Sequence, residues 1–305
     1  MIFLFMYDLI IVGTGSAGLP AGMYASRYKI KNLIIGGQPG GALATSHKVE
    51  NYPGFISASG KEIMNNFKKH SEKSGSEILQ DMVSKVDKHE DHFHVITSSG
   101  KEFKSKFVIL ATGNKYRHLG FEGEEEFLGK GVSYCATCDG MFFKDRNVVI
   151  VGGGNTALTE ALYLSDICKK VYLVHRRDTF RAENIWVDQV KNRDNIELVL
   201  KEEVAKVDGK MFMETVTLKS GKVLNADGIF VAIGSDPDTK IVDSLNPLKD
   251  TDGCLIVDKR QETSVKGLYA AGDVTTNSNK FKQTIMSAAE GCLAANSIHE
   301  DLLKG

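Results

Sequence analysis

The chain has 305 residues, 42% hydrophobic and 25% charged, and its 38 Lys and Arg against 39 Asp and Glu give 38 − 39 = −1 net charge. That length exceeds one average domain of about 150 residues and fits two, while the balanced charge excludes the basic footprint of a nucleic-acid binder or of a protein drawn to anionic membranes. Thirty glycines beside five prolines point to tight turns and close backbone approaches, and an odd five cysteines fit a reducing, cytoplasmic setting better than a disulfide framework.

The apolar start MIFLFMYDLIIVG lacks the basic region and small-residue cleavage site of a signal peptide, and no run reaches the roughly 18 apolar residues of a membrane span. It leads into Gly13-x-Gly15-x-x-Gly18, with Ser16 and Ala17 inside the turn and the helix-forming AGMYASRY behind it. In a dinucleotide-binding turn the first glycine permits the sharp bend, the second lets backbone approach a pyrophosphate, and the third lets helix pack on strand. The helix N-terminus then faces the phosphates with free N–H groups and a positive dipole end. The bland alternative is a structural glycine turn. The acid expected about 20 residues on to hold a ribose is missing, because the strand NLII ends in Gly36-Gly37.

Further along, DHFHVITSSGKEFKSK alternates with period two and reads as an antiparallel hairpin, and FVILATG (Phe107–Gly113) as a buried strand ending in glycine. The acidic run Glu122–Glu126 reads as a solvated loop without functional weight. Cys135-Ala-Thr-Cys138, followed at once by Asp139, has three readings: a metal pair, packed thiols or a redox dithiol. Zinc usually needs a second pair or histidines at ligand spacing, and Cys168, Cys254 and Cys292 are isolated, as ordinary buried thiols are. A redox pair needs only two sulfurs that can close a small ring, one of them stabilised as thiolate, and Asp139 could supply or accept the proton. The redox dithiol is the favoured reading, and no metal is expected.

An internal repeat follows. NVVIVGGGNTA (Asn147–Ala157) aligns without gaps on DLIIVGTGSAG (Asp8–Gly18), and GIFVAIG (Gly228–Gly234) matches FVILATG at a similar distance. The strand VYLV ends in His175-Arg176-Arg177, with Arg181 four residues on, where an NAD site would place an acid. Guanidinium groups pair with a 2′-phosphate, so the cluster favours NADPH, the alternative being a solvated basic loop. MFMETVTLKSGKVLNAD reads as a second set of hairpins. GLYAAGDV (Gly267–Val274) and the helical SAAEGCLAANSI would complete the first copy. The expected fold is therefore α/β, with two Rossmann-like nucleotide-binding domains, each carrying a small antiparallel β-meander. The second domain, 117–245, is inserted into the first, 1–116 and 246–305. A hydride donor cannot reduce a disulfide directly, and a flavin bridges the two chemistries, so one site is read for FAD and one for NADPH.

With these pieces in place, the sequence resembles the low-molecular-weight thioredoxin reductases over nearly its whole length. The motifs are GTGSAG, KVENYPGF (Lys48–Phe55), ATG (Ala111–Gly113), CATCDG (Cys135–Gly140), GGGNTA, HRRDTFRA (His175–Ala182), AAGDV and FKQTIMSAAEGCLAA. The wider pyridine-nucleotide disulfide reductases carry the active disulfide in the first domain, whereas here it precedes the second glycine set. The resemblance implies that Gly13, Gly15, Ser16, Ala17 and Gly18 hold the FAD pyrophosphate, and that Gly41, Ala42, Leu43 and Asn51 line the flavin. It implies that Ala111, Thr112 and Gly113 pass close to FAD, that Gly272 and Asp273 meet its ribityl chain, and that Lys282, Gln283 and Thr284 face the isoalloxazine. Gly153, Gly154, Asn155, Thr156, His175, Arg176, Arg177 and Arg181 would bind NADPH. It further implies a homodimer acting on thioredoxin, with the inserted domain rotating between two positions, Cys138 nearer the flavin, Cys135 attacking thioredoxin and Asp139 as the acid. Lys282 stands where arginine is common, and Met141 where an aromatic is frequent, leaving Phe142 and Phe143 as apolar anchors for a partner. The competing readings are a same-fold flavoprotein with another disulfide acceptor, a dithiol oxidase using O2, and a non-catalytic nucleotide-binding redox sensor.

Overall fold

The computed structural model describes residues 5–37, 39–46 and 49–304. The chain forms two compact units, Met1–Lys115 with Asp236–Gly305, and Tyr116–Ser235. In chain order the first unit begins with β1 (Phe5–Val12), α1 (Gly18–Arg27), β2 (Asn32–Ile35), α2 (Gly60–Ser74), β3 (Glu77–Leu79), β4 (Val83–Lys88), β5 (Phe93–Thr97) and β6 (Glu102–Leu110). The chain crosses through β7 (Asn114–Tyr116) into β8 (Val132–Ser133), α3 (Ala136–Asp139), β9 (Asn147–Val151), α4 (Asn155–Ser165), β10 (Lys170–His175) and α5 (Asn184–Lys191). There follow β11 (Ile196–Leu200), β12 (Val204–Gly209), β13 (Met213–Leu218), β14 (Val223–Asn225) and β15 (Gly228–Val231). It returns through β16 (Ser235–Pro237) to β17 (Leu268–Ala270) and α6 (Thr284–Lys304).

In the first unit the strands run in the order β3-β2-β1-β6-β5-β4, and β17 also pairs with β6. The β3, β2, β1, β6 and β17 pairings are parallel, whereas β4 and β5 add an antiparallel meander. Successive side chains of a strand point to opposite faces, and β1 shows the consequence. Leu9 and Ile11 pack with Leu19, Ala21 and Ala25 of α1 and Ala294, Ala295 and Ile298 of α6. Ile10 and Val12 pack on the other face with Val86, Phe93 and Val95 of the meander. Each such large side chain, once buried, contributes about 1.5–3 kcal/mol, which is why an unbroken apolar strand such as β1 is covered on both faces.

The second unit repeats the plan. Its parallel sheet has the order β11-β10-β9-β15-β8, and β12-β13-β14 form a separate antiparallel sheet. Val148 and Ile150 of β9 face Ala157, Leu158, Ala161 and Leu164 of α4, while Val149 and Val151 face Val207, Val216 and Leu218 of the three-stranded sheet. The two Rossmann-like halves and their meanders thus match the fold expected from the repeat.

The second crossing falls between Ser235 and Asp236, ten residues before the expected 245/246. The reason is Val242, fully buried in the 3-10 turn Lys240–Leu245 and packed into the first unit's core. Ile241 and Leu245 of the same turn, partly buried, pack against that core beside it, so a short segment that reads in sequence as a linker is tied to the first unit.

Candidate active site

In the first unit the turn after β1 is shaped by what lies against it. A Cβ on Gly13 would stand 2.2 Å from the Ala111 carbonyl oxygen, and one on Gly18 would stand 1.9 Å from that of Gly13. Both glycines are therefore demanded by packing, and Gly13 also adopts φ +125°, a region closed to most side chains. Gly15 differs: the nearest atom to its missing Cβ is the Gly41 Cα at 3.8 Å. Packing within the chain leaves that space open, as a backbone approached by a pyrophosphate requires. Ala17 precedes α1 and no side chain caps the helix; the Leu19 N–H donates instead to the Gly15 carbonyl at 3.2 Å, in the same turn as Ser16.

Other residues expected to hold FAD gather in this unit. Gly41 (φ +58°) opens the 3-10 turn containing Ala42 and Leu43, and the Asn51 side-chain amide donates to Gln283 at 3.2 Å. Thr112 donates its hydroxyl to the Asp238 carbonyl at 2.6 Å, holding the Ala111-Thr112-Gly113 turn. Gly272, Asp273, Lys282 and Ser287 line one recess beside the start of α6 at Thr284. Burial raises the Asp273 carboxyl, against the Lys282 charge and the Ser287 hydroxyl. Lys48, of the KVENYPGF motif, lies outside the described residues.

The sequence reading missed Glu290. Its carboxylate is buried and accepts from the Gly272 N–H at 2.7 Å, the Thr275 hydroxyl at 3.3 Å and the Ser278 hydroxyl at 2.6 Å. The available signal was its place on α6 with Ser287, Gly291 and Ala294, an i, i+3, i+4, i+7 face of small residues.

The second unit repeats the turn. A Cβ on Gly152 would meet the Ala232 carbonyl oxygen at 2.4 Å, and one on Gly153 the His175 ring at 2.1 Å, while Gly154 has nothing within 4 Å. No side chain caps α4. His175 is buried beneath the turn and its Nε2–H donates to the Thr179 carbonyl at 3.1 Å. Burial, aided by the charges of Arg177, Arg176 and Arg181, holds its pKa below the usual value, against the Thr179 carbonyl. His175 is thus a neutral ring flooring the turn, while Arg176, Arg177 and Arg181 are exposed around it. The Arg181 N–H donates to the Gly153 carbonyl at 2.8 Å, tying the arginine loop to the glycine turn. Asn155 is engaged with Glu183 at both ends of its amide, at 2.7 and 2.8 Å, and Thr156 is exposed.

In the same unit Cys135 and Cys138 form a disulfide with Cα atoms 5.3 Å apart. Cys135 caps the short helix α3, its sulfur accepting the Cys138 N–H at 3.2 Å with the Thr137 hydroxyl at 3.4 Å. Asp139, at the end of α3, accepts the hydroxyl of buried Ser133 at 2.6 Å, and the Ser133 oxygen accepts the Cys135 N–H at 3.1 Å. Burial pushes the Asp139 carboxyl up, and the Ser133 bond pulls against it. Ser133 is the second residue that sequence reasoning missed.

Three expectations need correction. Phe143 is partly buried and packed within the unit rather than free as an anchor: its ring stands edge-on to Phe230 at 5.4 Å, under Gly228, where a Cβ would come within 2.5 Å of that ring. Cys292 is half-buried rather than buried, unlike Cys168 and Cys254. The run Glu122–Glu126 is not simply solvated, since Glu124 is 3% exposed. Among the described residues no cluster of three or more His, Cys, Asp or Glu could hold a metal ion, and no helix is long and apolar enough to cross a membrane.

Two glycine-turn α/β units, one of them also bearing a C-x-x-C disulfide, define a disulfide oxidoreductase that works with nucleotide cofactors. The chain belongs to the pyridine nucleotide-disulphide oxidoreductase family, whose sequence model matches residues 7–291. A thioredoxin reductase of Rickettsia felis is 38% identical, covering 97% of this chain and 98% of its own. One of Helicobacter pylori is 37% identical over 96% and 98%. The crystal structure of a thioredoxin reductase from Streptococcus pyogenes superposes with a TM-score of 0.93 at 36% identity, covering 98% of this chain and 99% of that one.

Proposed function

We propose that the chain is an FAD-dependent NADPH–thioredoxin disulfide reductase, a cytoplasmic homodimer whose redox centre is Cys135–Cys138. The observation that carries this reading is the disulfide itself, built into the unit that also holds the open glycine turn and the exposed arginines. FAD on the first unit would accept hydride from NADPH and return an electron pair to the disulfide. Gly13, Gly15 and Gly18 would hold its pyrophosphate, with Gly272 and Asp273 near the ribityl chain. Gly153, Gly154, Arg176, Arg177 and Arg181 would hold NADPH, the guanidinium groups selecting the 2′-phosphate.

The protein's own part lies in thiol chemistry. Once the pair is reduced, the Cys138 N–H directed at the Cys135 sulfur stabilises a thiolate there. That thiolate attacks the thioredoxin disulfide, forming a mixed disulfide and expelling one thioredoxin sulfur. Cys138 then attacks Cys135, restoring the internal disulfide and releasing the second. Asp139, whose carboxyl keeps its proton to higher pH than an exposed one, supplies a proton to a departing thiolate. Rotation of the inserted unit between the flavin and thioredoxin is supported by each unit's own core and by the two crossings that join them.

The test is NADPH oxidation by the purified protein with and without thioredoxin, a chromogenic disulfide being the final acceptor. The expected rate needs thioredoxin and falls about 10-fold or more with NADH, as loss of a charge-assisted phosphate pair implies. Cys138→Ser should remain yellow and NADPH-reducible without disulfide turnover. Flavin bleaching with no thioredoxin dependence would keep the cofactors and overturn the acceptor; a protein without flavin absorption would overturn the enzyme reading.

A further inference from the structure

The buried carboxylate in the acidic run leads to the residue before the redox pair. Glu124 accepts the Leu119 N–H at 3.1 Å, the Gly120 N–H at 2.6 Å and the Tyr134 hydroxyl at 2.7 Å. The Tyr134 ring stacks on Tyr116 with centroids 5.1 Å apart and planes 19° off parallel, and meets the His118 ring at 5.2 Å. A phenol has one proton, which goes to Glu124, so the His118 Nδ1, 2.9 Å away, donates to the same oxygen. Burial, then the Glu124 bond, raises the Tyr134 pKa and keeps that proton in place.

Tyr116 is the first residue of the second unit after the crossing, and residues 117–120 follow it directly. Four contacts, the Tyr116 stack, the His118 bond and two amides on Glu124, therefore converge on Tyr134 or on its acceptor. On its other side Tyr134 joins Cys135, whose N–H is held by Ser133. A thiolate must approach the partner disulfide in line, and a displacement of about 1 Å at a reacting atom can cost about 100-fold in rate.

We infer that Tyr134 is a positioning residue that locks Cys135 to the segment entering from the crossing, so that the attacking sulfur stays in register with that segment during turnover. This rests on the thiol-exchange reading above. Tyr134→Phe keeps the stack and removes the bond to Glu124. It should lower kcat for thioredoxin about 10-fold, while the KM for thioredoxin and the rate of flavin reduction by NADPH change less than about 2-fold. Amide hydrogen exchange at Leu119, Gly120 and Cys135 should accelerate together. A kcat within twofold of the parent overturns the inference. If Tyr134→Phe does not fold, Tyr116→Leu, which removes the stack and leaves the hydroxyl bond, is read by the same split. If the parent protein shows no thioredoxin turnover, the functional reading fails on its own. The exchange pattern then decides the link, and unchanged exchange at the three amides overturns it.

Discussion

Asp139 and Glu124 are two acids near one disulfide, and sequence reading found the first and passed over the second. Asp139 is legible because it follows the C-x-x-C at once, where a proton is needed. Glu124 sits among other acids, and its signal was only the spacing Phe121-x-x-Glu124-x-x-Phe127, with both phenylalanines buried. Burial also sets what Asp139 does. A carboxyl raised by burial stays protonated beyond the ordinary carboxylate range, so as an acid it works below that raised pKa and fails as pH rises through it. Disulfide reduction should therefore fall on the alkaline side of the Asp139 titration. In Asp139→Asn the rate should be lower by about 100-fold, at the small end of general acid catalysis, and that alkaline fall should be gone. Stopped-flow traces of flavin reoxidation by the disulfide across pH check both; a surviving fall in the variant would assign the proton to another group.

At the scale of the element, the strand–glycine–helix turn was the most legible part of the molecule, because its periodicity and its glycines come from the same packing. The sequence could not separate glycines that the chain's own contacts require from one left open. Gly153 and Gly154 are neighbours with opposite reasons. A Cβ at Gly153 would enter the His175 ring, displacing the side chain that floors the arginine loop through Thr179. One at Gly154 meets nothing, and its φ of −100° suits an L residue. Gly153→Ala should lower stability by about 1–3 kcal/mol, the ordinary cost of overpacking. Gly154→Ala should leave stability within about 1 kcal/mol, since restricting the unfolded chain offsets the poorer N-cap of α4. It should nevertheless raise the KM for NADPH about 10-fold, by filling the space left for the pyrophosphate. Thermal unfolding with NADPH titration separates the two; an unchanged KM in Gly154→Ala would show that the open side of the turn is not where the nucleotide lies.

For the whole molecule, the gapless repeat led to an inserted second domain expected over 117–245, while the compact units divide at 115/116 and 235/236. Ile241, Val242 and Leu245 show why: three apolar residues in one short 3-10 turn decide which core owns a segment, and a stretch that short is too brief to show a period. The structure also shows what insertion costs the host. Within the first unit the Asp238 N–H donates to the Gly113 carbonyl at 3.0 Å, so the two cut ends are already held together, and both faces of its sheet are covered by its own residues. Removing 116–235 and joining Lys115 to Asp236 through a short glycine linker closes a small loop, whose entropic cost is modest. The expected product is a soluble, cooperatively unfolding protein that retains flavin but is neither reduced by NADPH at the parent's rate nor able to turn over disulfides, because the arginines and both cysteines are gone. Absorption in the visible and a denaturant titration decide it. Loss of flavin from a folded fragment would mean that residues 116–235 share in holding the cofactor, and loss of the cooperative transition would mean that the first unit's core is not complete by itself.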